Sequence, residues 1–322
     1  MTVNIIMPAY NGHKTIRQAI ASVAMQDGID QILLTIVDDC SDSTYDYILS
    51  EFPYINIEIL RKPTNTGCGQ SRQYGIDRCK CKYFMFLDTD DCLYTPMAVK
   101  QMYSFMECEN LDSLYRDFIE ELDDGKYILR KNSGVWMHGK MFRTKYIQDN
   151  NIRYSETRLH EDHAFNIISK LSGGKNRHID AVTYLWKYNE NSLTRCEEIH
   201  NDFGKSMESF LINAKYTINE LIKREINKDE ISDVSKKYIL SFYRYYNTML
   251  YEGSCADDIK IFLKDIKEFY EGIPREITDE ITLEYLTENF YQEENIREMI
   301  DTNIIFVIPI GIYYIQLCNP TQ

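Results

Sequence analysis

The chain has 322 residues, of which 44% are hydrophobic and 13% aromatic, which is enough for a large packed core. Its formal net charge of −14 argues against a general affinity for nucleic-acid backbones, which requires a basic face. Nine cysteines without a paired CxxC spacing argue against a zinc site and favour a reducing cytoplasm.

The first part of the chain alternates short apolar runs with helix-like stretches. Strands are predicted, in chain order, at "VNIIMP", "QILLTIVDD", "INIEIL" and "KYFMFLDTDD". Between them, helices are predicted at "HKTIRQAIASVAMQ", "STYDYILSEF" and "GQSRQYGIDRC". This alternation is typical of βαβ units and predicts an α/β fold with a mostly parallel sheet. The first apolar run lacks a charged leader, so we expect a first strand and not a signal peptide.

The pattern changes near residue 200. Apolar residues then recur every three or four positions in "DFGKSMESFLINAKYTINELIKREI", "SDVSKKYILSFYRYYNTMLYEG" and "ADDIKIFLKDIKEFYEG", which predicts amphipathic helices. We therefore predict an α/β domain over residues 1–200 and a helical C-terminal region over 201–322. The apolar run at 303–318 contains a proline and a glycine and is short for a bilayer span. A buried terminal strand or docking segment is expected there, with a membrane-surface contact as the alternative.

Polar residues follow each of the four predicted strands. In an open α/β sheet, ligands bind outside the carboxyl ends of the strands. The segments at these ends are "PAYNG", "VDDCSDST", "RKPTNTGCGQSRQYG" and "LDTDDC". They predict a nucleotide pocket whose rim carries Tyr10, Asp38, Asp39, Arg72, Asp88, Asp90 and Asp91.

Each of these segments also has a purely structural interpretation. Asp38 and Asp39 could cap a helix beginning near Ser43. The glycines of "GCGQSR" could serve turn geometry, and the segment lacks the third glycine of GxGxxG. "DTDD" alone could be a solvated turn, but after a buried strand it is a candidate metal site, because hard cations prefer carboxylate oxygens.

A second acidic pair occurs in "RLHEDHAFNIISKL". Glu161 and Asp162 stand at the start of a predicted helix whose apolar residues follow at helical spacing. Acidic residues in a first turn complement the helix dipole and need no catalytic role. A carboxylate at this place could also act as a general base.

Together, five segments resemble the ordered motifs of the family 2 glycosyltransferases, which are inverting enzymes with the GT-A fold. They are "PAYNG", "IVDDCSDST", "NTGCGQSRQYGI", "FLDTDD" and "LHEDHAF". The resemblance covers roughly the first 195 residues. It departs from the family pattern at Gln73, where Asn is frequent, and at Cys40, where Gly is usual.

The resemblance implies roles for individual residues. Asp88, Asp90 and Asp91 would form a DxD-type site for Mn²⁺ or Mg²⁺ that also meets the ribose. Asp162 would be the general base, with Glu161 orienting the acceptor or the backbone. The nucleotide-sugar site, which favours a UDP-sugar, would be formed by Pro8, Tyr10, Asp38, Asp39, Arg72, Asp88 and Asp90, with Tyr10 beside the base and Asp39 accepting a hydrogen bond from the uracil imide.

Two other functional classes stay open. A nucleotidyltransferase also needs carboxylates and a metal, but "PAYNGHKT" lacks a basic triphosphate loop. A carbohydrate- or partner-binding module with a degenerate site is the third class, against which the intact acidic motifs argue.

The expected partners follow from the resemblance. The acceptor would be a glycan, wall polymer, lipid-linked saccharide or other hydroxyl compound, and the net charge disfavours a nucleic acid. We also expect self-association through the C-terminal helices. The expected location is the cytoplasm, with peripheral membrane attachment as the alternative.

Several other polar and aromatic residues are assigned structural roles, with functional alternatives. Lys140 precedes a predicted helix and is expected to be solvated, with a place beside the acceptor as the alternative. Diphosphate contact is the alternative role of Arg195, and metal ligation that of His200. Trp136 and Trp186 are either sugar-stacking platforms or core. For His138 a structural role is likewise expected, with a place beside the acceptor as the alternative.

Overall fold

In the computed structural model the chain divides into two compact units, Met1–Asn213 and Ala214–Gln322. The structure describes residues 1–190, 192, 195, 203–251 and several positions between 264 and 277. The division of roles between residues 1–200 and 201–322 stays a prediction.

The strands of the first unit form one sheet. In chain order they are β1 (Val3–Ala9), β2 (Ile32–Asp38), β3 (Asn56–Arg61), β4 (Tyr83–Phe86), β5 (Cys92–Leu93), β6 (Ser113–Glu121), β7 (Tyr127–Arg130), β8 (Lys140–Arg143) and β9 (Asn176–Trp186). The helices are α1 (Ile16–Ala24), α2 (Tyr47–Glu51), α3 (Cys68–Arg78), α4 (Ala98–Cys108), α5 (Thr144–Asp149), α6 (Glu161–Leu171), α7 (Phe203–Lys223) and α8 (Lys228–Tyr251). A short 3₁₀ helix, Ile29–Gln31, precedes β2.

The strand order is β3-β2-β1-β4-β8-β6-β9-β5, with β7 paired to β6. The four predicted strands are confirmed, and they lie side by side in parallel. Beyond β4 the sheet is mixed, because β8 is antiparallel to both β4 and β6, whereas β9 is parallel to β6. The carboxyl ends of β1–β4 therefore meet at one edge of the sheet.

The central strand β1 is buried along its whole length, as its continuous apolar run predicts. It pairs with β2 through Ala9, but its pairing with β4 ends at Ile6 and Phe86. Pro8 comes after that point, where β1 no longer needs a ladder hydrogen bond on the β4 side. The paired part of β1 and β4 ends there, at the carboxyl edge of the sheet.

Helix α1 covers one face of the sheet. Its buried residues, Ile16, Ala19, Ile20 and Val23, recur at intervals of three and four, which places them on one side of a helix. The following predicted helix is shorter than expected, because only Tyr47–Glu51 is helical in the predicted segment 43–52.

Helices α7 and α8 confirm two of the three amphipathic patterns predicted after residue 200. The division between the units falls within α7. In the second unit, the hydroxyls of Thr217 and Tyr238 are hydrogen-bonded at 2.9 Å, and the rings of Phe242 and Phe269 pack at 5.2 Å. Most of the third pattern and all of the predicted segment at 303–318 lie outside the described residues. No helix in the described part of the chain has the length and apolarity needed to cross a membrane.

Candidate active site

The loops after β1 and β4 are in direct contact. A Cβ added to Gly12 would lie 2.7 Å from Thr89 Oγ1, so a larger residue at this position would force Thr89 to shift. Tyr10 is 54% exposed at the end of β1, whereas Pro8 is buried within it. "PAYNG" and "DTDD" thus form one surface, as their places after parallel strands predict.

Asp38 and Asp39 organise the loops that follow β2 and β3. Asp38 accepts hydrogen bonds from the Ser41 amide at 2.9 Å and from Arg61 at 2.5 Å. Asp39 accepts from the amides of Thr66 and Gly67 at 3.1 and 2.8 Å. The alternative that these aspartates cap a helix near Ser43 is wrong, because α2 begins at Tyr47 and its cap residue makes no side-chain bond.

Lys62, directly after β3, is a site residue that the sequence reasoning missed. It is 6% exposed and donates hydrogen bonds to Asp39 at 2.6 Å, to Ser71 Oγ at 3.1 Å and to Thr66 Oγ1. These bonds attach the loop after β3 to Asp39 and to α3. The place of Lys62 at a strand end was a signal that could have identified it.

Arg72 joins the two acidic motifs. It projects from α3, is 4% exposed, and donates to Asp162 Oδ1 at 2.7 Å and to both oxygens of Asp88 at 2.8 and 3.1 Å. Its Nε is buried without a hydrogen-bond partner in the structure. The guanidinium therefore brings together one aspartate of "DTDD" and one of "HED", Asp88 and Asp162, although these segments are far apart in the chain.

The other two aspartates of "DTDD" differ in their surroundings. Asp91 is 1% exposed and accepts hydrogen bonds from the Tyr184 hydroxyl at 2.6 Å and the Lys187 amide at 2.9 Å. Burial, followed by the charges of Asp90 and Asp88, raises the pKa of Asp91 well above its usual range. Asp90 is half-buried and accepts from Asn189 at 2.7 Å.

The acidic cluster has the donor groups that a divalent cation requires. Ligand atoms of Asp88, Asp91 and His138 lie within 4.8 Å of one another, and Asp90 is not part of that group. His138 is buried among aromatic rings, and burial lowers its pKa to about 3, so it is neutral. Carboxylate oxygens with a neutral imidazole nearby fit Mn²⁺ or Mg²⁺.

Glu161 and Asp162 form the first turn of α6. Burial, and then the charge of Asp162, raises the pKa of Glu161 to about 8. Burial also raises the pKa of Asp162, against the opposing charge of Arg72. A Cβ on Gly69 would meet Glu161 Cγ at 2.4 Å, so the glycine of α3 makes space for this carboxyl. The pair is thus tied to α3 and does more than complement a helix dipole.

The remaining predicted residues have mainly structural surroundings. Lys140 is 2% exposed, so the expectation of a solvated lysine is wrong. Arg195 donates to Glu120 at 3.0 Å and to two backbone carbonyls. Trp186 is buried and packs at 4.8 Å from the half-buried Trp136. His200 lies outside the described residues.

Comparison with known families adds an independent line of evidence. The sequence profile described as "Glycosyl transferase family 2" matches residues 4–164, which is half of the chain. The chain is 22% identical over 219 residues to the succinoglycan biosynthesis protein ExoO of Rhizobium meliloti, covering 60% of this chain and 62% of ExoO. It is 22% identical over 305 residues to the poly(ribitol-phosphate) beta-N-acetylglucosaminyltransferase TarS of Staphylococcus aureus, covering 86% of this chain and 50% of TarS. The chain therefore spans about half to three fifths of these relatives.

Solved structures give the same fold. The crystal structure of S. aureus TarS 1–349 in complex with UDP-GlcNAc superimposes with a TM-score of 0.73 at 18% identity, covering 87% of this chain and 83% of that one. The predicted GT-A architecture is confirmed by this likeness.

Proposed function

We propose a function from the premise that the chain belongs to the family 2 glycosyltransferases. The enzyme transfers a sugar from a UDP-sugar to an acceptor hydroxyl. The transfer inverts the anomeric configuration and uses a divalent cation. Family membership decides against the nucleotidyltransferase and the non-catalytic binding module. The observation that carries the proposal is the position of Arg72 between Asp88 and Asp162.

Arg72 supports inverting transfer because it sets two carboxylates around one small volume. Arg72 Nη2 lies 2.8 Å from Asp88 and Nη1 lies 2.7 Å from Asp162, so each carboxylate is bound to a different nitrogen of one guanidinium. In an inverting displacement, the leaving diphosphate and the incoming hydroxyl occupy opposite faces of the anomeric carbon. Asp88 on the phosphate side and Asp162 on the side of the incoming hydroxyl, both held by the Arg72 guanidinium, would suit such a displacement.

The donor would lie along the carboxyl ends of the parallel strands. Tyr10 is exposed and can flank the base, and Pro8 fixes the strand from which it projects. Asp39 has two oxygens with three protein donors, Lys62 Nζ and the amides of Thr66 and Gly67, which leaves acceptor capacity for the uracil imide. Asp38 would act indirectly, because its carboxylate is occupied by Arg61 and the Ser41 amide.

Of the grouped donors Asp88, Asp91 and His138, the last two are 1% and 7% exposed, so we place a divalent cation at Asp88 and at the neighbouring Asp90, whose carboxylates are partly exposed. When bound, it would neutralise charge that develops on the diphosphate. Asp91 is almost fully buried and accepts from the Tyr184 hydroxyl and the Lys187 amide, so we assign it to holding the turn that presents the other two.

Asp162 would take the proton of the acceptor hydroxyl. One oxygen of its carboxylate accepts from Arg72, and its side chain is 20% exposed, so the other oxygen can meet an acceptor. Glu161 is less exposed, at 8%, and its pKa of about 8 leaves it mostly protonated at neutral pH. A protonated carboxyl cannot serve as the base, which favours an orienting role for Glu161.

The acceptor class is suggested by TarS, whose name describes transfer to poly(ribitol-phosphate). We propose a polyhydroxylated polymer or saccharide acceptor for this chain. Self-association through the C-terminal helices and a cytoplasmic location stay predictions.

The test is release of UDP from a panel of nucleotide sugars, with Mn²⁺ or with excess EDTA, and with polyol-phosphate and saccharide acceptors. Asp162→Asn should leave UDP affinity nearly unchanged and lower the transfer rate roughly a hundredfold or more, the usual scale for losing a general base. Glu161→Gln is the matched control and should cost less. Undiminished transfer by Asp162→Asn, with a collapsed rate in Glu161→Gln, would instead make Glu161 the base. Equal turnover in Mn²⁺ and in excess EDTA would contradict the proposal that transfer requires a divalent cation.

A further inference from the structure

The segment 155–160, which leads into α6, is attached to several other parts of the first unit. Gln70 of α3 donates a hydrogen bond to a backbone carbonyl of this segment at 2.8 Å. Arg158 donates to the side-chain oxygen of Asn65, in the loop after β3, at 2.9 Å. Because the segment ends two positions before Asp162, the contacts that hold it also bear on where the proposed base lies.

Asn213 attaches the same segment to α7. Its side chain is almost fully buried. The amide nitrogen donates to the carbonyl of Leu159 at 2.9 Å and to Thr157 Oγ1 at 2.7 Å, and the amide oxygen accepts from the Ser155 hydroxyl. The first unit ends at Asn213, so these bonds lie within one compact unit. Helix α7 follows the residues 4–164 that match the family profile, so this attachment lies outside the matched part of the chain.

His160 is the residue at which the chain enters α6. Its φ of +63° lies in the left-handed region, where residues other than glycine stay only if their surroundings hold them. The side chain does not cap α6. Instead, its Nε2 is hydrogen-bonded to the Ser206 hydroxyl of α7 at 2.9 Å, and its ring packs against that of Phe210 at 5.3 Å. Two residues of α7 thus hold the residue from which the first turn of α6 starts.

The direction of that first turn decides where the proposed base lies. Asp162 is the second residue of α6, and one oxygen of its carboxylate accepts from Arg72 at 2.7 Å. The dihedral angles of His160 set the path by which the backbone reaches that carboxylate. A general base must lie within hydrogen-bonding distance of the proton that it takes, and a small displacement of a catalytic group lowers the rate. The contact between His160 and α7 is therefore placed to affect the transfer step.

We propose that Ser206 is a positioning residue of the transfer reaction, which holds His160 in its left-handed conformation and so keeps Asp162 in place for the acceptor proton. This inference rests on the function proposed above. The residues to which we assign the uracil base, Tyr10 and Asp39, lie at the ends of β1 and β2. Loss of the Ser206 contact should therefore slow transfer without weakening donor binding.

The experiment compares Ser206→Ala with the wild type for kcat and for UDP affinity. Alanine removes the hydroxyl and is the residue most favourable to a helix, so the fold should be kept. We expect kcat to fall roughly tenfold, because a misplacement of a catalytic group by less than 1 Å is enough for such a loss. The UDP dissociation constant should stay within about twofold. Ser209→Ala is the matched control, because Ser209 lies in the same helix and is half-buried as Ser206 is.

A double-mutant cycle with Asp162→Asn separates positioning of the base from a general disturbance of the enzyme. If Ser206 acts through Asp162, Ser206→Ala should lower kcat by less than about twofold in the Asp162→Asn background, because the base is already absent there. Three results would overturn the proposal. They are a Ser206→Ala kcat within about twofold of the wild type, an equal relative loss in both backgrounds, or an equal loss in Ser209→Ala.

Hydrogen exchange of backbone amides gives a readout that needs no substrate. Exchange in the peptide that covers residues 155–165 should be faster in Ser206→Ala than in the wild type or in Ser209→Ala, because the contact that holds His160 is lost. Unchanged exchange in this peptide would contradict the proposal even in a protein for which no donor had been found. A wild type that transfers no sugar would count against the proposed function alone, and a wild-type-like Ser206→Ala enzyme against the role of Ser206 alone.

Discussion

Replacing Arg72 by Met should destabilise the first unit by an amount that depends on pH. The substitution keeps an apolar stem but leaves Asp88 and Asp162 facing each other without their shared cation. Breaking a buried ion pair costs about 3–5 kcal/mol. The two carboxylates are 25% and 20% exposed, so solvent reduces that cost, and we expect about 3 kcal/mol near pH 7.5.

The sign of the pH dependence follows from Asp162. Its pKa in the folded protein is already raised by burial, against the opposing charge of Arg72, so loss of the guanidinium raises it further. A carboxyl whose folded pKa exceeds its unfolded value stabilises the protein at low pH, and this stability is lost as the pH rises. The deficit of the Arg72→Met variant should therefore shrink to about 1 kcal/mol near pH 5.

Urea unfolding at the two pH values measures this effect. Arg17→Met is the matched control, because Arg17 also makes two hydrogen bonds to a carboxylate, that of Glu51, but at the surface. The Arg17 side chain is 51% exposed and that of Glu51 is 37% exposed. An exposed pair is screened by solvent and should contribute far less than the Arg72 pairs at either pH. A deficit for Arg72→Met that equals the control, or that does not change between pH 5 and 7.5, would refute the reasoning.

Three further predictions concern the same site. Gly69→Ala should lower the free energy of unfolding, measured in urea, by about 1–3 kcal/mol, because its Cβ would lie 2.4 Å from Glu161 Cγ. The control Gly134→Ala, with no atom within 4 Å of its Cβ, should change it by less than about 0.5 kcal/mol. The raised pKa of Glu161 makes the contribution of this carboxyl to stability fall as the pH rises from about 4.5 to 8. Between pH 5 and 7 the wild type should therefore lose about 2–3 kcal/mol of unfolding free energy relative to Glu161→Gln. Equal pH dependence of the unfolding free energy in the two proteins would contradict this. Asp90→Ala should abolish Mn²⁺-dependent transfer while circular dichroism stays unchanged, and full activity would remove Asp90 from the cation site.

The first half of the sheet could be predicted from the sequence because its strands are continuous apolar runs. Strand β1 is buried throughout, and such runs separated by amphipathic helices define parallel βαβ units. The site at their ends was predictable for the same reason, since the ends of parallel strands converge. That "DTDD" and "HED" both belong to the active site was expected only from the family resemblance, and their connection through Arg72 depends on the tertiary fold.

The second half of the sheet could not be predicted from local pattern. Strand β6 reads "SLYRDFIEE" and buries charged residues that are compensated by distant partners. Asp117 is bonded to His178 and Glu120 to Arg195, and no sequence period announces such pairs. Lys140 was predicted to be solvated for a similar reason, because a lysine is buried only when the tertiary structure supplies its partners.

The configuration of the product tests the central claim most directly. The donor and acceptor identified by the UDP-release panel should be incubated with the full chain and Mn²⁺, and the new glycosidic bond should be examined by proton NMR. An inverting transfer that uses Asp162 as its base predicts a β-linked product from an α-linked UDP-sugar. An α-linked product would contradict the mechanism.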